Sequence, residues 1–233
     1  VRGQSVPVVT GDAPSWMTRS YGVRLGGATV VSLTGSSVED AGEGVIASLS
    51  SSGVGLTGAS VTDAAYGINV DGGAVNNLTD ASVVDSEYGI AAEGGAAVSY
   101  AAHNEIANAT AGIVFSGGAT SGEFALNDVD AATGVLASDA GDDLTVHFND
   151  LAETETATEA ESGSFDAPLN WFGEGGPQVN NGAAGDVCYP PYLTAHLDEA
   201  DPNTPPLAAA PHMDPPGTHT HRLPAPTHPT HRA

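Results

Sequence analysis

The chain has 233 residues, enough for one elongated domain with tails, and its 29 acidic and 5 basic side chains give a formal net charge of −24. None of the basic residues is lysine, so the surface should repel nucleic acid and anionic membrane, which are bound by displacing counterions with Lys and Arg; it should attract cations and positively charged partners instead. No run of about 18 apolar residues occurs, which excludes a membrane span, and the lone Cys188 permits no intrachain disulfide.

Residues 1–21 read as an N-terminal lead-in or cap. They start Val-Arg-Gly-Gln and lack the apolar core of a signal peptide, which fits either a removed signal or a fragment of a longer product. From residue 22 a repeat takes over. Gly followed by Val or Ile recurs at Gly22, Gly44, Gly67, Gly89, Gly112 and Gly134, at intervals of 22 or 23 residues. A period that constant marks a stacked architecture. High acidity by itself suggests disorder, but here 40% of residues are hydrophobic and they fall in register.

Aligning on the glycines brings further columns into line. A branched aliphatic residue follows each anchor, at Val38, Val61, Val83, Ile106, Val129 and Leu151. Short alternating runs broken by Gly, Asn and Asp argue strands joined by tight turns. Three such strands and three turns fit about 22 residues, one coil of a parallel β-helix. Each aliphatic column becomes a buried ladder, coils stack about 4.8 Å apart, and the glycines are expected to allow positive φ at sharp turns. Coils are assigned to 22–160.

Polar columns obey the same period. Asn104, Asn127 and Asn149 stand two residues before ladder aliphatics and read as a structural amide ladder. Asp40, Asp63 and Asp85, continued by Asn108, are either turn residues bonding local amides or a stripe holding cations weakly; no other cofactor is expected. Tyr21, Tyr66 and Tyr88 each precede an anchor. Stacked rings facing outward would suit a sugar, although column identity alone explains the pattern.

Residues 161–196 read as a C-terminal cap. They contain Asn170-Trp171-Phe172-Gly173-Glu174-Gly175-Gly176-Pro177, then Val187-Cys188-Tyr189-Pro190-Pro191-Tyr192-Leu193. With the period, this pair resembles the closing segment of right-handed parallel β-helix repeat proteins common in archaea, where Asn-Trp-Trp-Gly…Gly-Pro precedes Val-Asp-Tyr-x-Pro-Trp-Leu. The chain departs from that pattern at Phe172, Cys188, Tyr192 and the Gly-Pro spacing. The resemblance implies an all-β, right-handed, single-stranded parallel β-helix of six to seven coils, with Trp171, Phe172, Gly173 and Pro177 covering its open end. Proteins of that kind include NosD-type copper-site maturation proteins, surface-layer-associated proteins and carbohydrate-active enzymes, so fold alone does not choose a function. The acidic, lysine-free composition also resembles proteins of extreme halophiles.

Residues 197–233 turn Pro- and Thr-rich, and five of the chain's eight histidines fall between His212 and His231. This reads as a disordered tail, whether a weak metal binder, a linker or a stretch translated out of its ancestral frame.

Catalytic signals are sparse. A lyase acting on acidic glycans needs basic groups, and the coils offer only Arg24. A hydrolase needs two carboxylates roughly 5–9.5 Å apart, but Asp142 and Asp143 are adjacent strand residues and should face opposite ways. His103 and His147 fall in different columns. Asn77-Leu78-Thr79 and Asn108-Ala109-Thr110 are glycosylation sequons. The expectation is therefore a non-catalytic extracellular or cell-surface scaffold of a halophile, structural or adhesive, contacting polysaccharide, other surface components or cations. A carbohydrate-active enzyme, hydrolase or lyase, and a NosD-like metal-handling protein are the alternatives.

Overall fold

The structure, a computed structural model, describes residues 21–25, 32–48 and 52–196. The lead-in before Tyr21, the Gly26-Gly27 pair and the tail from residue 197 lie outside the described residues, as do the side chains of Tyr21, Asp142 and Asp143.

Among the described residues there are thirteen strands and no helix. One face of the solenoid stacks β1 (Tyr21–Leu25), β4 (Glu43–Ser48), β6 (Ser60–Asp71), β8 (Ser82–Glu93), β10 (Glu105–Ala125), β11 (Asp128–His147), β12 (Thr154–Asp166) and β13 (Val179–Cys188), each parallel to the next. The remaining strands, β2 (Ser32–Thr34), β3 (Ser37–Glu39), β5 (Val54–Thr57), β7 (Ala74–Thr79) and β9 (Ala97–Ala102), complete the other faces of the earlier coils. The result is a right-handed parallel β-helix of about seven turns. The longest strands run round corners, so β10 contributes to three faces of one coil.

Like residues lie on like. Val38, Val61, Val83, Ile106, Val129 and Leu151 are at most 2% exposed. Val38 pairs with Val61, Val61 with Val83, Val83 with Ile106, and Ile106 with Val129. A second ladder follows the anchors: Val45, Ile68, Ile90, Ile113 and Val135 are each 0% exposed. A third is Leu33, Leu56 and Leu78. Inside the core, Phe115 meets Phe124 edge-on, with ring centroids 5.0 Å apart.

The anchor glycines serve close approach, not turning. None of the six has positive φ, contrary to the turning role expected of glycine. A Cβ on Gly67 would lie 2.3 Å from Val83 Cγ1 and 2.6 Å from the Gly89 carbonyl oxygen. Positive φ occurs instead at other glycines, as at Gly72 (63°), Gly94 (61°), Gly95 (80°), Gly117 (58°) and Gly118 (74°). Another corner is left-handed in every coil. It is occupied in turn by Gly35, Gly58, Asp80, His103, Leu126, Phe148 and Leu169, with φ between 55° and 64°.

Directly after that corner comes the asparagine ladder, buried and fully bonded. Asn104 Nδ2 donates to Asn127 Oδ1 at 2.8 Å, Asn127 Nδ2 to Asn149 Oδ1 at 2.8 Å, and Asn149 Nδ2 to Asn170 Oδ1 at 3.0 Å. Each acceptor also takes a backbone N–H from the coil before, and each amide also donates to a buried carbonyl, as Asn127 does to Ala101 O at 3.2 Å. Asn170 is a fourth rung that the spacing of 22 and 23 leaves out.

The sequence places the cap at 161–196, yet parallel pairing runs on through β13, and Trp171 bridges both Asp150 and Leu193. Phe172 is 5% exposed and joins the main core. Trp171 and Phe172 thus occupy coil positions, one outward and one in the ladder. Gly173 has φ 75°, and Pro177 lies half-buried in the turn that leads to β13.

Candidate functional site

β6 and β8 bring Tyr66 directly beside Tyr88. Their ring centroids are 4.8 Å apart with planes inclined at 38°. Tyr21 pairs with Glu43 and Glu43 with Tyr66, so Glu43 holds the position between Tyr21 and Tyr66 in the register. The column continues as Ala111, leaving a pair of rings. Both are half-buried against a small outer cluster of Ala91, Ala111, Val114 and Leu136, separate from the main core. Burial, followed by the negative charge of Glu93, Glu87 and Glu43, pushes the Tyr66 hydroxyl above its ordinary range. Burial and Glu87 do the same to Tyr88. Two groups beside the rings extend the face: Asn69 Nδ2 lies 3.5 Å from Glu93 Oε2, and Ser116 Oγ donates to Glu93 Oε1 at 3.2 Å.

Asp40, Asp63 and Asp85 all have φ 55°, and Asn108 follows at 54°. They are exposed residues of a left-handed corner, a conformation that Asp and Asn adopt more readily than other L-residues. Asn108 Nδ2 donates to Asp85 Oδ1. Among the described residues no group of three or more His, Cys, Asp or Glu is arranged to hold a metal ion.

A second constellation went unread in the sequence. Glu105 pairs with Asp128, and Asp128 with Asp150, each one residue before a ladder aliphatic. Asp128 and Asp150 border a cleft of about 280 Å³, together with His103, Leu126, Phe148 and His196. His196 Nε2 is 2.7 Å from Asp150 Oδ2, and Asp150 Oδ1 accepts the Ala152 N–H at 2.9 Å. Burial, then the charges of Asp150, Glu105 and Glu153, raise the Asp128 carboxyl above the usual range. Neighbouring carboxylates are thus held in unlike environments. A column of acids at the position before the ladder was visible in the spacing; His196, which arrives from beyond the coils, had no periodic signal. His147 stands apart, with Nε2 3.0 Å from Glu123 Oε1, and pairs with Ala125 rather than with a residue of the His103 column.

A further cleft, between Trp171, Glu174 and Tyr192, opens at the closing turn. Among the described residues no helix is long and apolar enough to cross a membrane. A family model described as a right-handed beta helix region matches residues 14–151. No curated protein and no solved structure matches the chain.

Proposed function

The chain belongs to the right-handed β-helix family, and from that premise we propose that it is a non-catalytic surface scaffold of a halophile that contacts glycans through Tyr66 and Tyr88. The observation that carries this reading is the ring pair itself. Two tyrosines stack on an outer cluster that is separate from the main core, and sugars pack their C–H faces on such rings. An extracellular setting is supported by the net charge of −24 without lysine and by the exposed Asn77 of one sequon. The acidic corner column would gather cations loosely in strong salt. The test is alanine substitution of both tyrosines, followed by retention on a glycan that the parent binds. Unchanged retention would remove the reading.

A second reading, a carbohydrate-active enzyme, is favoured by one specific observation: the unlike carboxylates of Asp128 and Asp150. In a hydrolase one carboxyl donates a proton to the leaving oxygen, and a second acts as base or nucleophile. Asp128, raised by burial, would take the first role, and Asp150, 2.7 Å from His196 Nε2, the second. Release of reducing sugar that disappears in Asp128→Asn and Asp150→Asn, with retention intact, would select this reading over the scaffold.

A further inference from the structure

The outward column of β4, β6, β8, β10 and β11 reads Ile46, Asn69, Ala91, Val114 and Leu136. Asn69 is the one polar side chain in this stretch. It is 5% exposed, its Oδ1 has no hydrogen-bond partner, and its Nδ2 is held only at 3.5 Å by Glu93. A buried carbonyl without a donor is costly, whereas an apolar residue of the same shape avoids the penalty. The column turns charged beyond this stretch, at Arg24 and Glu159, but the residues paired with Asn69 itself, Ile46 and Ala91, are apolar, so packing does not call for the amide. Beside it the Glu93 carboxylate reaches two coils, towards Asn69 with one oxygen and Ser116 with the other. The tyrosine rings pack on Ala91 and Val114 of this same column, and Ala91 is the residue paired with Asn69.

We propose that Asn69, Glu93 and Ser116 are the polar half of a subsite whose apolar half is the Tyr66–Tyr88 pair, and that it takes a neutral sugar ring presenting hydroxyl donors. This rests on the glycan-contact reading above and narrows it. The ligand must bring donors, because the Glu93 carboxylate offers acceptors at the surface, and Asn69 Oδ1, sealed beneath the outer cluster in the free chain, is reached when a bound hydroxyl displaces that cover. It must lack carboxylate or sulfate, because Glu43, Glu87 and Glu93 surround the rings and an anion would enter against their field. The strongly acidic surface of the whole chain acts in the same sense.

The experiment uses the full chain in molar salt, on columns of immobilised mannan, β-glucan and galactan and on polygalacturonate and a sulfated galactan. The parent should be retained on at least one neutral polymer and on neither anionic one. Glu93→Gln and Asn69→Leu should each weaken that retention about tenfold, the scale of a lost hydrogen bond to a charged or buried group, and Tyr66→Ala with Tyr88→Ala should abolish it. Asn69→Leu should also melt no lower than the parent, since it removes the orphan carbonyl. Preferential retention on an anionic polymer overturns the subsite. Retention lost with the tyrosines but unchanged in Glu93→Gln and Asn69→Leu overturns it while leaving the ring platform standing. An Asn69→Leu protein that melts well below the parent marks the amide as structural and also overturns it. A parent that binds none of the polymers overturns both readings.

Discussion

Replacing Asn127 by leucine keeps the side chain's size and removes its polarity at the middle of the amide ladder. Four hydrogen bonds go: those that Oδ1 accepts from Asn104 N and Asn104 Nδ2, at 3.1 and 2.8 Å, and those that Nδ2 donates to Ala101 O and Asn149 Oδ1, at 3.2 and 2.8 Å. At about 1 kcal/mol net for each, with the Asn104 N–H then buried beside a methyl group, the loss should be roughly 3–5 kcal/mol. That is a large share of the about 5–15 kcal/mol by which a domain is usually stable. Asn76→Ala, at an exposed position of β7, should cost under about 0.5 kcal/mol and serves as control. Urea titration at fixed high salt, followed by the β-type circular dichroism band, measures both. A loss under about 1 kcal/mol for Asn127→Leu, with an unchanged denaturant slope, would show that the ladder fills space and does not hold the coils together.

Gly67→Ala should destabilise by at least about 1–3 kcal/mol, as overpacking does, because its Cβ meets the Gly89 carbonyl as well as Val83. Gly95→Ala has nothing within 4 Å and should cost only the backbone penalty of about 1–2 kcal/mol; a reversed order of melting temperatures would refute the close-approach account. Asp128→Asn should stabilise at neutral pH. The folded carboxyl's pKa is raised, so between the ordinary carboxylate value and the folded one the native state keeps a proton that the unfolded chain releases, and stability falls as pH rises through that window. The gain should vanish on acidification below the ordinary carboxylate range; a gain independent of pH would contradict it. The melting temperature should climb as NaCl approaches about 1 M, where the Debye length is about 3 Å and repulsion within the acidic shell is screened; a flat response would count against the halophile reading.

What the sequence made legible follows from what repeats. Val83 on Val61 and Asn127 on Asn104 each occupy one position in every coil, so the period alone aligned them. The reason for the anchors was hidden, since close approach involves a neighbouring coil's carbonyl and a ladder methyl, and residue type does not separate that from a turn. Asn69 was unreadable for a different reason: it breaks its column, and only the side chains around it show that its carbonyl lacks a partner. The Asp128–Asp150 pair lay one residue from a recognised ladder. It went unread because its histidine partner, His196, comes from a segment outside the repeat.

The corner shared by Gly35 and Gly58 is held in later coils by Leu126, Phe148 and Leu169, at φ 57°, 55° and 59°. Each of these side chains disfavours that conformation by about 1–2 kcal/mol, so the local chain does not select it. The coil beneath does, through the bonds from Leu126 N to Phe148 O and from Phe148 N to Leu169 O. Conformation at this edge is copied from neighbour to neighbour, as a growing crystal face imposes its lattice on each arriving layer. A single late coil cut from the stack would lose the template that bends it. The rod should therefore grow from its glycine-cornered end, and the later coils can be written in residues that could never have begun it.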